Sequence, residues 1–238
     1  MQLRCEDPTW PGQCDSVTGY LCNFEVYTGQ GNVKDGTPKG VIHRLIVEAG
    51  LAGAIGRILC TDNVYTSRDV MLHVYLTFGF LMVGTYALTK KKSRTAADFP
   101  FHRLSNGAMK KIERGWHRLA FQKVVSKGRH LFTMQATVWK DKKVVGFLHN
   151  HLVQPCADDF VERFSPRRKK KRKVVSHAVT SDYIEHFNGV DHKDRDTADW
   201  TVSLKSNRFY LRIFYWCLDS IIHAMFVIAV SQCCNERR

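Results

Sequence analysis

The sequence has few acidic residues relative to its basic ones. Its 238 residues include 36 Lys and Arg against 22 Asp and Glu, which gives a formal net charge of +14. This excess disfavours partners that are themselves basic and suits a polyanion, because neutralised phosphates release condensed counterions. The composition therefore predicts a nucleic-acid partner, with a merely basic soluble protein as the alternative.

The cysteines lack the spacing of a zinc site. None of the 8 cysteines forms a C-x-x-C pair. The common zinc-finger patterns, which contain such a pair, are therefore excluded. Cys60 and Cys217 lie in apolar runs. We therefore expect most cysteines to be reduced, buried thiols of an intracellular protein.

The sequence also lacks an uninterrupted membrane span and an apolar leader. Its first ten residues, MQLRCEDPTW, contain no apolar core of a signal peptide. The most apolar stretch, 213–230, contains Asp219 and His223, and a carboxylate at a bilayer centre costs roughly 2.5–3.5 kcal/mol. We therefore predict a buried helix there and no membrane contact.

Hydrophobic periodicity divides the chain into an α/β part, a strand-rich part and a helical part. The order over 19–85 is strand, helix, strand, helix, strand, which predicts an α/β sheet. Short strands are predicted over 119–125, 131–139 and 144–148. The domain boundaries we expect are 1–89 for the first part of the core, 90–175 for a β-rich insertion and basic loop, 176–231 for a helical second part of the core, and 232–238 for a tail.

Four aspartates stand where strands end or helices begin. Asp62 follows a short apolar run, at the kind of sheet edge where α/β proteins bind ligands. Asp15 precedes the strand predicted over 19–28, and Asp191 opens a helical stretch with Asp194 one turn later. Three carboxylates from separate elements can hold two Mg²⁺ or Mn²⁺ ions for phosphoryl transfer. An aspartate after a strand is as often a cap or turn residue, so each one alone is weak evidence.

The segments around these aspartates resemble those of the piggyBac transposase family. The run CDS at 14–16 opens a segment similar to the one that carries the family's first catalytic aspartate. TDNVYTS at 61–67 is similar to the second block, D-N-(F/W)-(Y/F)-T-S, and GVDHKD at 189–194 to the block of the third acid. The matches follow the family's order over about residues 13–231, including the Gly-Thr pair at 84–85.

This resemblance implies an RNase H-like α/β fold, a mixed sheet with flanking helices and a β-rich insertion between the second and third acids. It implies two-metal DNA cleavage through hairpin intermediates and strand transfer at TTAA sites. Asp15, Asp62 and Asp191 would be the metal ligands and Asp194 an assisting acid. The implied cofactor is Mg²⁺ or Mn²⁺, two ions in the active form. The implied partner is DNA, and a homodimer remains open.

The chain departs from the family's pattern on both sides of the core. Pro8 and Pro11 precede Asp15 where the family has an apolar strand, and proline removes ladder donors, so we expect no strand leading into Asp15. Cys233 and Cys234 stand in place of a cysteine-rich zinc domain. Two alternatives to an active enzyme follow. One is a catalytically weak or inactive DNA-binding or chromatin protein, and the other is a fragment that folds poorly.

A basic run and a histidine pair complete the candidate functional residues. The run consists of Arg167, Arg168, Lys169, Lys170, Lys171, Arg172 and Lys173. Ser-Pro at 165–166 precedes it, so we expect an exposed loop that contacts DNA phosphates or directs import into the nucleus. His149 and His151 could hold a metal on one strand face, but a metal-free pair is favoured because no third ligand is near in sequence.

Overall fold

The structure is a computed structural model and describes residues 2–5, 11–26, 35–88, 99–104, 112–126, 128–151, 158–165, 169–202 and 207–235. The strands are β1 (Gln2–Cys5), β2 (Pro11–Cys14), β3 (Leu21–Phe24), β4 (Ile58–Thr61), β5 (Leu81–Tyr86), β6 (His117–Ser126), β7 (Arg129–Lys140), β8 (Val144–His149), β9 (Asp158–Ser165) and β10 (Lys170–His177). The helices are α1 (Pro38–Glu48), α2 (Arg68–Phe78), α3 (Ala178–His186), α4 (Gly189–Ala198) and α5 (Phe209–Asn235), with a 3₁₀ turn at Pro100–Arg103.

One mixed sheet organises the fold, with the strand order β3-β2-β1-β4-β5-β8-β7-β6. The three central strands β1, β4 and β5 run parallel to one another. The strands on either side of them pair antiparallel. The predicted α/β class, a mixed sheet with flanking helices, is confirmed.

Local signals determine the ends of the two helices that connect the parallel strands. Thr37 caps α1, and Pro38 occupies its first position, where a missing N–H removes no hydrogen bond. Ser67 caps α2 by accepting a hydrogen bond from the backbone N of Val70 at 3.2 Å. α2 ends at Gly79, whose φ of +69° is readily adopted by glycine.

The hydrophobic core lies on both faces of the sheet. Along β4 and β5, Leu59 and Met82 contribute to the larger cluster, which also contains the buried residues of α1 and α2. Their neighbours Cys60 and Val83 contribute to a second cluster, which includes Tyr183 of α3. Successive side chains of a strand point to opposite faces. The parallel strands are therefore covered on both sides, as parallel strands usually are.

The N-terminal segment forms two strands that the sequence patterns did not predict. β1 lies between β2 and β4, and β2 leads directly into Asp15. The expectation that no strand precedes Asp15 is therefore wrong. Pro11 is the first residue of β2, a position where strands tolerate proline. Pro8 lies outside the described residues.

The strand-rich stretch belongs partly to the main sheet. β8 pairs with β5, so the β6–β7–β8 meander extends the central sheet. β9 and β10 form a separate two-stranded ribbon. The expected basic loop is wrong for residues 170–173, which form the first half of β10 and pair with 162–165. Arg167 and Arg168 lie outside the described residues, and the domain boundaries drawn from the sequence stay predictions.

α5 is not the buried helix that its composition predicted. Phe214 is 58% exposed and Met225 is 64% exposed, whereas Ser220 and His223 are buried. Only one stripe of the helix therefore meets the core. By length and composition alone, Tyr210–Cys234 could span a membrane, with a mean hydropathy of 1.9 and 11% of its most apolar window buried. A single such helix is weak evidence, and the absence of membrane contact stays a prediction.

The cysteines whose side chains are described are free thiols with different exposure. Cys14 and Cys60 are buried, whereas Cys233 and Cys234 are exposed on α5. Burial raises the pKa of the Cys60 thiol to about 11, which keeps it protonated at neutral pH. The expectation of buried thiols therefore holds for Cys14 and Cys60 and fails for Cys233 and Cys234.

Candidate functional site

Asp62 lies at the carboxyl end of β4, in a turn held by hydroxyl groups. Thr66 Oγ1 donates to the Asp62 carbonyl at 2.8 Å and lies 2.8 Å from Thr61 Oγ1. The Asp62 carboxylate accepts a hydrogen bond from the backbone N of Asn63 at 2.6 Å. α2 begins immediately after this turn. The carboxylate is therefore half-buried at the sheet edge, between a buried strand and a capped helix.

A glycine in the neighbouring strand makes room for this turn. Gly84 of β5 pairs with Thr61 of β4. A Cβ at position 84 would lie 2.1 Å from Thr66 Oγ1, 2.3 Å from Thr61 Oγ1 and 2.7 Å from the Thr61 carbonyl oxygen. All three distances are shorter than real Cβ contacts. Gly84 therefore has a packing role beside the turn that carries Asp62.

Asp15 closes the turn between β2 and β3. Its Oδ1 accepts hydrogen bonds from Val17 N at 3.1 Å, Thr18 N at 2.9 Å and Thr18 Oγ1 at 2.8 Å. Burial pushes the pKa of Asp15 upward, but these hydrogen bonds outweigh burial and hold the pKa below its usual value. Asp15 is therefore ionised at neutral pH. One of its carboxylate oxygens, Oδ1, accepts hydrogen bonds from residues of the same turn.

Asp191 and Asp194 lie on α4, with Asp191 in its first turn, where the helix dipole favours a carboxylate. Asp194 Oδ1 lies 3.6 Å from the Nζ of Lys193, whose side chain is only 2% exposed. The same Nζ lies 4.2 Å from the ring centroid of Trp216. Lys193 was not predicted to take part in the site. Its position three residues after the buried Val190 was the available signal, because i and i+3 share a helix face.

α3 and α4 contact the turns that carry the first two acids. Tyr183 Oη of α3 donates to the Thr61 carbonyl at the end of β4, at 3.3 Å. Gly189 begins α4 against Asp15, since a Cβ at position 189 would lie 2.6 Å from the Asp15 carbonyl oxygen. The first turn of α4, which carries Asp191, therefore packs directly on the Asp15 turn.

The sheet register nevertheless separates Asp15 from Asp62. Gln2 of β1 lies opposite both Cys14 and Cys60, but β2 is antiparallel to β1 and β4 is parallel to it. Asp15, one residue after Cys14, therefore lies beyond the N-terminal end of β1. Asp62, two residues after Cys60, lies in the opposite direction, toward the C-terminal end of β1. At about 3.3 Å per residue and about 4.8 Å between strands, their Cα atoms are about 10 Å apart along the strands and about 10 Å across.

The chemistry of the aspartates suits a divalent ion better than their arrangement does. Carboxylate oxygens are preferred ligands of Mg²⁺ and Mn²⁺. Across the described parts of the chain, no group of three His, Cys, Asp or Glu side chains is positioned to hold a metal ion. The ligands of two ions about 4 Å apart lie roughly 4–8 Å from one another, whereas the register puts the Cα atoms of Asp15 and Asp62 about 10 Å apart along the strands and about 10 Å across them. The metal roles of Asp15, Asp62 and Asp191 stay predictions.

His149 and His151 form part of a polar layer between the sheet and α3. His149 Nε2 lies 3.2 Å from Thr137 Oγ1, and His151 Nε2 lies 2.9 Å from Asp182 Oδ2. Burial, reinforced by His151 and His177, holds the pKa of His149 well below its usual value. His149 is therefore neutral in the folded protein at neutral pH.

The β9–β10 ribbon carries the described part of the basic run. Residues 169–173 are exposed. Arg163 anchors the ribbon to the main sheet. Its Nε lies 3.4 Å from Asp141 Oδ2, and its Cζ lies 5.6 Å from the ring centroid of Trp139. Trp139 Nε1 also donates to the Val175 carbonyl at 2.9 Å. The basic half of the ribbon is thus presented to solvent from a fixed base.

Comparisons with known proteins agree with this architecture. The fold is similar to that of piggyBac transposase in the cryo-EM structure of its synaptic complex with hairpin DNA, with a TM-score of 0.67 and 18% sequence identity. The match covers 96% of this chain and 42% of that chain. Curated protein sequences provide no significant match. A family model described as Transposase IS4 matches residues 12–223. The chain therefore belongs to the family described as Transposase IS4. The predicted relation to piggyBac transposases is confirmed.

Proposed function

We propose that this chain is a transposase-derived DNA-binding core that cleaves DNA weakly, if at all, in this conformation. The observation that carries the proposal is the solvent-exposed basic half of the β9–β10 ribbon on a transposase-type fold. Phosphate neutralisation by lysine and arginine accounts for most non-specific DNA binding. Import into the nucleus is part of the proposal, because the same basic run can act as an import signal.

The weak-cleavage part of the proposal rests on the position of Asp15. Two-metal catalysis needs ligands held to within about 0.5 Å of the productive geometry. The register separates Asp15 from Asp62, and Asp15 Oδ1 already accepts three hydrogen bonds within its own turn. A cleavage-competent arrangement would therefore require β2 and its turn to shift relative to β4.

DNA binding through the ribbon can be tested by replacing Lys169, Lys170, Lys171, Arg172 and Lys173 with glutamine. We expect weaker binding to a blunt DNA duplex and a shallower dependence of log K on log salt, by about 0.9 for each lost phosphate contact. A control with the same loss of charge replaces the exposed Lys39, Lys123, Arg129, Lys142 and Lys143. An equal loss in both variants would mean that net charge alone, without the ribbon, accounts for binding.

An active transposase core is the second candidate function. Under it, Asp15, Asp62 and Asp191 hold two Mg²⁺ or Mn²⁺ ions, Asp194 assists, and DNA is cleaved and joined at TTAA sites. The ions would supply charge stabilisation for the attacking and leaving oxygens. Support comes from the well-held turn around Asp62 and from the contact between α4 and the Asp15 turn.

Metal-dependent nicking of TTAA-flanked transposon ends distinguishes the two candidates. With Mn²⁺, we expect at most a trace of nicked product, and the Asp62→Asn variant should remove it. Asp69→Asn is the matched control, because Asp69 is an exposed acid in the first turn of α2. Efficient excision that only Asp62→Asn abolishes would establish the active enzyme. A trace that persists in Asp62→Asn would show that the acids are vestigial.

A further inference from the structure

The β9–β10 ribbon has a solvent-facing side that combines aromatic and basic residues. We call this side the outer face, and it consists of the cross-strand pairs Phe160 with Val175, Glu162 with Lys173, and Phe164 with Lys171. Val161 and Val174, which alternate with these residues, are buried toward the main sheet. Because strand side chains alternate, the outer face is directed away from the core.

The two phenylalanines of the outer face are accessible to solvent. Phe160 is 55% exposed and Phe164 is 56% exposed. They are four residues apart on one strand, so their Cα atoms are about 13 Å apart. Their rings are presented from a ribbon whose base is anchored through Arg163 and Trp139. Exposed aromatic rings on a rigid support are a platform on which planar ligands can stack.

The charge around these rings is strongly positive. The ribbon end formed by 162–165 and 169–173 contains six basic residues against one acid, a net charge of +5. Lys171 and Lys173 are on the same face as the phenylalanines. Phosphates therefore match the charge of the outer face, and flat rings match its aromatic groups. A polynucleotide with unpaired bases supplies both.

We propose that the outer face binds single-stranded DNA, with bases stacked on Phe160 and Phe164 and phosphates contacted by Lys171 and Lys173. Unpaired bases are favoured over a duplex because paired bases are already stacked and offer no free face to a ring. This proposal rests on the DNA-binding function proposed above. Stacking requires no particular base, because every base has a π-face.

Glu162 makes the proposal testable in both directions. It lies between the phenylalanines, and its Oε2 is 3.7 Å from the Nζ of Lys171. A carboxylate there repels phosphate and holds Lys171 in a competing ion pair. Glu162→Gln should therefore strengthen binding of single-stranded DNA several-fold. Glu185→Gln removes an exposed acid from α3 and should leave the affinity unchanged.

The main experiment compares the full chain with the double variant Phe160→Ala/Phe164→Ala. Anisotropy titrations use a dT20 oligonucleotide and a blunt 20-base-pair duplex at the same salt concentration. We expect the double variant to lose at least about thirtyfold in affinity for the single strand, because two stacked bases lose their rings, and little for the duplex. Phe121→Ala is the control, because Phe121 is 51% exposed on β6.

Two further measurements separate stacking from ribbon stability. Phe160→Leu/Phe164→Leu keeps apolar bulk but loses the ring, so it should bind as poorly as the alanine variant. The fluorescence of a 2-aminopurine base placed in the oligonucleotide should be quenched when the native chain is added and not when either variant is added. Far-ultraviolet circular dichroism establishes that the variants are folded.

The outcomes distinguish failure of the stacking site from failure of DNA binding itself. Equal losses for single strand and duplex, or native affinity in the leucine variant, would overturn stacking while leaving the ribbon as a duplex-binding surface. Unchanged single-strand affinity in both phenylalanine variants would overturn the site and leave the proposed function standing. Absence of binding to either DNA by the native chain would overturn both.

Discussion

Replacing Gly84 with alanine should strongly destabilise the protein. The new methyl group would meet Thr66 Oγ1 at 2.1 Å, Thr61 Oγ1 at 2.3 Å and the Thr61 carbonyl oxygen at 2.7 Å. The two hydroxyls could rotate away, but the carbonyl belongs to the β4–β5 ladder and cannot. The substitution therefore forces β4 and β5 apart or breaks the Thr61–Thr66 hydrogen bond.

The expected loss follows from these contacts. Overpacking a core position costs about 1–3 kcal/mol, and breaking a buried hydroxyl pair adds about 1 kcal/mol. Alanine recovers about 0.4–1 kcal/mol by restricting the unfolded chain. We therefore expect Gly84→Ala to lower the free energy of unfolding by about 2 kcal/mol. On a domain of ordinary stability this is a large share of the total.

Urea denaturation followed by circular dichroism measures this loss, and Gly53→Ala is the matched control. A Cβ at Gly53 meets nothing within 4 Å, so the control should be near neutral. Adding Thr66→Ala removes the closest contact, and the double variant should be more stable than the two single losses predict. A loss for Gly84→Ala within about 0.5 kcal/mol of the control would refute the packing role of this glycine.

Two further stability measurements test the cap of α2 and the buried histidine. Ser67→Ala removes the acceptor for Val70 N and should lower stability by about 1 kcal/mol in urea denaturation, whereas Ser231→Ala on the exposed end of α5 should not. His149 is kept neutral by burial, which holds its pKa well below 6.5 in the folded state. The unfolded chain, in which the imidazole has its usual pKa, binds a proton at a higher pH than the folded protein does. As the pH is lowered from about 6.5, the free energy of unfolding should therefore decrease by up to about 1.4 kcal/mol per pH unit. A His149→Gln variant with an equally steep fall between pH 5 and 7 would assign the effect to other groups.

Short-range signals predicted the parts of the fold that short-range interactions determine. The order strand, helix, strand, helix, strand predicted over 19–85 is the order of β3, α1, β4, α2 and β5. Hydrophobic periodicity thereby predicted the α/β class, and the resemblance to piggyBac transposases implied the mixed sheet. These elements form from residues close in sequence, and their patterns are visible without knowledge of any partner strand.

The sequence could not reveal features that depend on distant pairing. β10 consists largely of lysine and arginine in its first half, and only pairing with β9 makes a strand of it. The apolar composition of α5 does not show which of its faces meets the core. The separation of Asp15 from Asp62 is set by the register of β1 against both neighbours, and a one-residue change in register alters it. The contact of Tyr183 with the Thr61 carbonyl likewise joins residues far apart in sequence.

The central place of β1 in the sheet has a consequence for the order of assembly. The β6–β7–β8 meander joins strands that follow one another along the chain, whereas β1 pairs with its parallel partner β4 through residues distant in sequence, Gln2 with Cys60 and Leu3 with Thr61. Distant pairings form slowly, because the intervening loop must be closed first. We expect β1, and with it β2, β3 and the Asp15 turn, to join last and to open first. In pulse-labelled hydrogen exchange, amides of β7 should become protected before those of β2, so the corner that carries Asp15 would be the last part of the candidate site to mature during refolding.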